Sequence, residues 1–378
     1  MTKLAWFASL MLSVAAVGCG DDTTTLSPND LAVSGPFDMA HAAGDLAAAS
    51  DAAGSATVKL EETDLTADGT NAANQDANLV NAWGLAFNPM GFVWISDNHS
   101  GKATVYDATG KPLALVVTVP VPTGGTPPSA PTGQVFNGVT ADFNGDSFIF
   151  STEDGTVSGW SAGTNATLRV DHSAAGTVYK GLAILAGNGV SRIYATDFHG
   201  GKVEVFDNNY AAVTLAANAF SDPGVPAGFA PFGIQSVGAQ IVVTYAKQDA
   251  AMHDDVAGPG NGYVSLFDFD GALVKHLVSQ GALNSPWGLA MAPASFGAAS
   301  GMLLVGNFGD GKINAFDATS GQLAATIVDG TGAPLKIDGL WALEFGPGAT
   351  GEATNQLFFT AGPGGEAHGL FGRLDLIP

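Results

Sequence analysis

A short element recurs along this chain at intervals near fifty residues, and it constrains the fold more than any other feature. An aromatic or polar residue precedes a glycine, and an alternating apolar run follows. The copies are Trp83-Gly84-Leu85-Ala86, Asn137-Gly138-Val139-Thr140, Lys180-Gly181-Leu182-Ala183, Phe232-Gly233-Ile234-Gln235, Trp287-Gly288-Leu289-Ala290 and, with alanine for glycine, Trp341-Ala342-Leu343-Glu344. Their intervals run from 43 to 55 residues. Short apolar runs bounded by Gly, Asn and Asp are strands and turns, and units of this length with four strands each are blades of a ring. The expectation is all-β: a six-bladed β-propeller of four-stranded blades over residues 57–378.

Each unit repeats an internal order. The first strand leads to a turn such as Phe143-Asn144-Gly145-Asp146, then a second strand such as Phe148-Ile149-Phe150-Ser151. The run Asp142-Phe143-Asn144-Gly145-Asp146 lacks the twelve-residue ligand series of a calcium loop and reads as a hairpin turn. A second turn follows, as in Asp197-Phe198-His199-Gly200-Gly201-Lys202, and a third strand ends in an aromatic residue and Asp, as in Phe206-Asp207. The last unit lacks an outer strand. An open ring would expose strand edges, so the alternating segment Thr57-Val58-Lys59-Leu60-Glu61-Glu62 is expected to close it.

Composition narrows partners. The 378 residues carry 35 acids against 13 lysines and arginines, a net charge of −22. Such a surface cannot neutralise phosphates, which excludes nucleic acid. At 46% hydrophobic residues the chain has ample material for a core. Residues 4–17 form an uncharged apolar run after Lys3, too short to span a bilayer as a lasting helix. The run ends in Ala16-Val17-Gly18-Cys19, which resembles a bacterial lipobox. Residues 1–18 are therefore expected to be a lipoprotein signal peptide, and Cys19, the single cysteine, the lipidated residue. With Cys19 acylated, disulfides and cysteine chemistry are excluded. Residues 19–56, rich in Asp, Thr, Ser, Ala and Gly, read as a flexible tether. Gly20 follows where an inner-membrane retention signal often has Asp, so the expected location is the cell envelope, at the outer membrane on its periplasmic or surface face.

Three motifs carry a resemblance. Asn78-Leu79-Val80-Asn81-Ala82-Trp83-Gly84-Leu85-Ala86, the loop from His253-Asp254-Asp255 through Gly258-Pro259-Gly260-Asn261-Gly262, and the ending Phe359-Thr360-Ala361-Gly362-Pro363 with His368-Gly369-Leu370-Phe371-Gly372 resemble an uncharacterised family of exported bacterial β-propellers. That family is similar in blade pattern to NHL and SMP-30/gluconolactonase-type propellers. Its members often end in a sorting tail with a membrane helix, which the lipid at Cys19 is expected to replace.

Chemistry in a ring of blades gathers where loops converge at one channel mouth. The residues preceding the inner strands place Asn81, Asn137, Lys180 and Asp338 there. The turns after the second strands add Asp97, His99, Glu153, Asp154, Asp197, His199, Asn307 and Asp310. The fourth unit carries a long polar insertion, residues 246–262, with Lys247, Asp249, His253, Asp254 and Asp255. Trp83, Trp287 and Trp341, with Phe232, offer either a stacking surface for a sugar or peptide, or a core plug. His99, Asp97, His199, Asp197, His253 and His368 are the candidate ligands for a divalent metal such as Ca²⁺, Zn²⁺ or Mn²⁺. No Gly-x-Ser-x-Gly elbow supports a serine hydrolase. The expected function is an envelope lipoprotein that binds a protein, glycan or small ligand at the channel face without catalysis. The alternative, implied by the SMP-30 resemblance, is a metal-dependent hydrolase or lactonase, in which a metal activates water. Those enzymes place an acidic ligand where this chain has Asn81.

Overall fold

The computed structural model describes residues 56–89, 91–349 and 351–377, and these fall in one compact unit, Gly54–Pro378. The expected signal peptide, Cys19 and nearly all of the expected tether lie outside the described residues. Among the described residues there is no α-helix, only strands and four short 3₁₀ turns.

The strands form six antiparallel groups. The chain begins with β1 (Ala56–Ala67) and the short β2 (Asn74–Gln75). The first group is β3 (Ala82–Asn88), β4 (Phe92–Asp97), β5 (Lys102–Tyr106) and β6 (Pro112–Thr118). The second is β7 (Pro131–Phe136), β8 (Phe148–Thr152), β9 (Thr156–Trp160) and β10 (Thr167–Asp171). The third has β11 (Tyr179–Gly187), β12 (Val190–Asp197) and β13 (Lys202–Asp207). The fourth is β14 (Phe229–Val237), β15 (Gln240–Lys247), β16 (Tyr263–Phe267) and β17 (Leu273–Ser279). The fifth is β18 (Pro286–Met291), β19 (Leu303–Asn307), β20 (Ile313–Phe316) and β21 (Leu323–Val328). The sixth is β22 (Leu340–Phe345), β23 (Leu357–Ala361) and β24 (Leu370–Leu376), completed by β1. The inner strands β3, β7, β11, β14, β18 and β22 neighbour one another in that order, and β22 returns to β3, so the ring closes as a propeller.

Closure uses the N-terminal strand in two ways. Its second half runs antiparallel to β24, with Leu60 opposite Leu376 and Thr63 opposite Arg373. Its first four residues run parallel to β21, Ala56 opposite Ala325 through Lys59 opposite Val328. Both exposed edges at the seam are thereby covered. The third group departs from the expected four strands: after β13 the chain makes a single bridge, Phe206 to Ala212, instead of an outer strand.

The recurring glycine marks the closest approach of neighbouring inner strands. A Cβ on Gly84 would lie 2.4 Å from the Thr132 carbonyl, on Gly133 2.3 Å from the Leu182 amide, on Gly233 2.1 Å from the Trp287 carbonyl, and on Gly288 2.5 Å from the Trp341 carbonyl. This corrects the second copy of the repeat. Gly133, not Gly138, is the equivalent position, and Asn137 follows β7 instead of preceding an inner strand. Thr132-Gly133-Gln134-Val135 also has a polar residue before its glycine, and Asn137-Gly138, five residues on, imitates it.

Hydroxyl side chains tie inner strands across the same junctions. Thr132 Oγ1 donates to the Tyr179 carbonyl (2.8 Å), Thr196 Oγ1 to Phe232 (2.7 Å), Thr244 Oγ1 to Pro286 (2.6 Å) and Thr360 Oγ1 to Trp83. These bonds satisfy backbone carbonyls facing the next group, which would otherwise be buried unpaired. Between groups, aromatics fill the widening wedge: Trp94 stacks on Phe148 at 3.9 Å and Tyr106 meets Phe371 at 5.5 Å.

Candidate functional site at one channel mouth

A stack of aromatics closes the channel beneath this mouth. Trp83 and Trp341 stack with ring centroids 3.7 Å apart, Phe308 stacks on the other side of Trp341 at 4.0 Å, and Trp287 meets both tryptophans edge-on at 6.1 and 5.8 Å. Trp83 and Trp341 are 2% and 1% exposed, and Phe232 is fully buried. Trp83, Trp287 and Trp341 thus form the floor, and their faces are spent on one another.

Above the floor a polar arc runs through five of the six groups. Asn81 immediately precedes β3 with a left-handed φ of 51°, a conformation Asn tolerates better than most residues. This turns its amide inward: Oδ1 accepts from Trp341 Nε1 at 3.0 Å, while Nδ2 reaches Glu366 Oε2 at 2.7 Å, Asn98 Oδ1 at 3.3 Å and His99 Nε2 at 3.4 Å. Asn98 Nδ2 in turn donates to Glu153 Oε2 at 2.8 Å. Glu153 Oε1 pairs with Lys180 Nζ, and Asp254 Oδ1 approaches the same ammonium at 3.1 Å.

Lys180 is the centre of the arc. Its side chain is 2% exposed, on β11, and its Nζ lies 5.2 Å from the Trp83 ring. Its carbonyl also accepts Trp287 Nε1 at 2.9 Å, which joins the arc to the floor. Burial opposes its charge, but Glu153 and Asp254 outweigh that and hold the ammonium above its ordinary range. For Asp254 burial acts upward, yet Lys180 and His253 keep the carboxylate below its usual value. The pairing therefore stabilises the fold throughout the neutral range. It is lost only below the lowered Asp254 value or above the raised Lys180 one.

Three other acids are pushed the other way. Burial raises Glu366, Asp154 and Asp255, with the neighbouring Glu153 adding to the first two. The mouth thus combines one fixed cation with several carboxyls that resist losing their protons.

Sequence placement and structural placement differ at several candidates. Asn81, Lys180, His253 and Asp254 come together, with His99 at the side. Asn137 lies at the far end of β7, its amide bonded to the carbonyls of Val139, Asp142 and Asp146. Lys247 is an exposed strand end, and Asp249 caps the insertion through the amides of His253 and Asp254 at 2.9 and 3.3 Å. Asp97 is completely buried beside Thr104, its carboxyl pushed well up by burial. Asp197 accepts the amides of Val178 and Gly200, His199 stands beside Gly176, and His368 pairs with Asp68 at 3.0 Å. Of the six metal candidates only His253 joins a set of convergent donors. Glu153, His253 and Asp254 bring three ligand atoms within 4.8 Å of one another. Two of those three already hold the Lys180 ammonium, so the trio does not fit a resident divalent cation while Lys180 is in place. Glu366 was missed by sequence reasoning. Its signal is that it is the single acid in the glycine-rich turn between β23 and β24.

The opposite mouth differs in kind. A cavity of about 170 Å³ there is lined by Leu85, Gln134, Ile184, Gln235, Ser236 and Glu344, among others. Burial alone pushes the Glu344 carboxyl up to about 8. The folded chain keeps a proton that the unfolded chain releases, so stability falls as pH rises from the ordinary value of 4.5 towards about 8. Glu344→Gln is expected to leave the melting temperature unchanged at pH 4 and to raise it progressively towards pH 8. Melting curves across that range check it, and parallel curves for the two proteins would contradict it.

Fold and mouth together define a β-propeller with a lysine-centred acidic mouth over an aromatic plug. The chain is 34% identical over 329 residues to an uncharacterised protein of Acanthamoeba polyphaga mimivirus, covering 82% of this chain and 78% of the relative, and it belongs to the same family. No family model matches it. Among solved structures, virginiamycin B lyase from Staphylococcus aureus, as a catalytically inactive variant with quinupristin, aligns at 13% identity with a TM-score of 0.51, over 85% of this chain and all of that one. Regucalcin from Agrobacterium tumefaciens, a calcium-binding protein, aligns at 13% identity with a TM-score of 0.50, over 85% and 95%. Both likenesses are of fold.

Proposed function

We propose that this propeller is a ligand-binding protein of the cell envelope, exported and lipid-anchored through Cys19 at the outer membrane. It holds a small polar ligand or a glycan chain in the Lys180 mouth without catalysing a reaction on it. The observation that carries the binding reading is the arc Glu366–Asn81–Asn98–Glu153–Lys180–Asp254, a prepositioned row of donors and acceptors above a buried aromatic floor. Such a row reads hydroxyl and amino groups, and the acidic surplus favours ligands with amines. The anchoring reading rests on residues 4–19, an apolar run ending in the lipobox-like Ala16-Val17-Gly18-Cys19.

A metal-dependent hydrolase is the second reading, favoured by the convergence of Glu153, His253 and Asp254 and by the calcium binding named for the regucalcin neighbour. It weighs less because an ammonium takes the place of the ion, and because Asn81 stands where an acidic ligand is expected.

Each part of the proposal is tested with its own variant. Cys19→Ala is expected to move the chain from the membrane fraction to the soluble fraction on fractionation of expressing cells. An unchanged distribution would overturn the lipid anchor. The released protein is then offered to an array of aminosugar-containing and neutral glycans, with Asp254→Asn/Glu366→Gln as its control. Binding lost in the control is expected, and binding equal in both would remove the mouth as the site.

A further inference from the structure

Far from the channel, on the outer strand of the fourth group, three side chains form a relay that the mouth does not use. Asp222, in the connection between β13 and β14, has a side chain 1% exposed. Its Oδ1 accepts the Gly224 amide at 2.7 Å, and its Oδ2 accepts Ser265 Oγ at 2.5 Å and faces His276 Nδ1 at 2.6 Å. His276 Nε2 lies 2.5 Å from Ser279 Oγ. A carboxylate against Nδ1 keeps the proton on that nitrogen. Nε2 is then left as an acceptor aimed at the hydroxyl.

The local fold explains why these groups meet. In a regular strand His276 and Ser279 would point to opposite faces. The pairing of β16 with β17 is irregular at this place: Val264 faces Val278, while its neighbour Ser265 faces His276, so Leu277 is extra. The bulge returns both side chains to one side, as bulges near functional groups do. Gly224 leaves room for the ring, since a Cβ there would lie 2.8 Å from His276 Nδ1. Beyond Ser279 the chain turns through Gln280 and Gly281, with φ of 52° and 59°. Ser279 itself is exposed. A buried acid, a half-buried imidazole and an exposed hydroxyl, linked through the correct ring nitrogens, are the parts of an activated serine nucleophile.

We propose that Ser279 is a nucleophile for acyl transfer, with His276 as its base and Asp222 as the residue that positions His276, acting on small activated carboxylic esters from solvent. Ser279 Oγ bonds to the ester carbonyl carbon as its proton passes to His276 Nε2. The carbon–oxygen bond to the leaving alcohol breaks, and that alcohol takes the proton. Water then repeats the sequence, releasing the carboxylic acid and restoring Ser279. Asp222, Ser265, Ser279 and Tyr263, whose ring lies 6.0 Å away, are the groups facing the imidazole.

The test uses the full chain, a fluorophosphonate probe and p-nitrophenyl acetate. The expected result is a single phosphonyl adduct on the peptide bearing Ser279, with ester hydrolysis abolished by Ser279→Ala and slowed about a hundredfold by His276→Gln. Asp222→Asn tests positioning: kcat for ester hydrolysis should fall with KM unchanged, and Asp222→Glu should recover part of the loss, which a merely structural role would not do. Labelling spread over other exposed serines, or labelling at Ser279 that is unchanged in His276→Gln, would overturn the proposal. Absence of any adduct on a chain shown folded by its β-rich circular dichroism would also overturn it.

Discussion

Gly233→Val is expected to abolish accumulation of the folded chain. At this position even a Cβ would sit 2.1 Å from the Trp287 carbonyl oxygen and 2.9 Å from Thr244 Oγ1. Neither neighbour can withdraw. The carbonyl belongs to the inner strand of the next group, and Thr244 both accepts the Gly233 amide at 2.8 Å and donates to the Pro286 carbonyl at 2.6 Å. Overpacking a well-packed core by a methylene or two costs about 1–3 kcal/mol. Here backbone must move and two bonded junctions open, so a loss above about 3 kcal/mol is expected, a large share of the about 5–15 kcal/mol a domain commonly has. Soluble yield and the urea midpoint measure it. Gly181→Ala should cost less, because its nearest clash is at 2.9 Å. Equal midpoints for Gly181→Ala and Gly233→Ala would show that close approach is not what the glycines serve.

Lys180→Met is expected to destabilise the chain by about 2 kcal/mol near neutral pH. Removing one partner of a fully buried pair commonly costs about 3–5 kcal/mol. The value is discounted here because Asp254 is 66% exposed and Glu153 14%, so water screens what Lys180 leaves behind. The sign can be checked with a second change: adding Glu153→Gln to Lys180→Met should recover part of the loss, since it removes the uncompensated charge. A double variant less stable than Lys180→Met alone would mean that the ammonium matters through its packing on Trp83 instead of its charge. On the proposed function, the same pair should also alter ligand binding at the mouth.

Much of the fold was legible because its determinants are local and periodic. Glycine at the crowded inner strand, Asn and Asp at turns, and alternating Val, Ile and Phe all recur, and the unmatched Thr57-Val58-Lys59-Leu60 pointed to the strand that closes the ring. The second unit was misplaced by a few residues because Asn137-Gly138 imitates the motif while Thr132-Gly133 performs its role. The inter-group bonds of Thr132, Thr196, Thr244 and Thr360 escaped notice because a threonine in a strand is unremarkable in composition. Their partners become evident only when neighbouring groups are set side by side.

The mouth was half legible for a related reason. Lys180 stood out as a cation before a glycine, and His253 and Asp254 as part of a long polar loop. Glu366 and Asn98 gain meaning only from convergence of segments separated by up to 285 residues, as for Asn81 and Glu366. His199 and His368 share with His253 a place between second and third strands, but His253 rides on the long insertion of residues 246–262, while His199 stands beside Gly176 and His368 pairs with Asp68. The Asp222–His276–Ser279 relay was hidden because a bulge, not a motif, assembles it.

The central claim is that Lys180 supplies the positive charge at the mouth and that no divalent ion resides there. It is tested most directly by elemental analysis of the full chain purified without chelator and then equilibrated with Ca²⁺, Zn²⁺ or Mn²⁺, beside His253→Ala. The account predicts ion contents far below one per chain and equal in the two proteins. Near-stoichiometric metal that is lost in His253→Ala would contradict it and make the Glu153, His253 and Asp254 trio a metal centre.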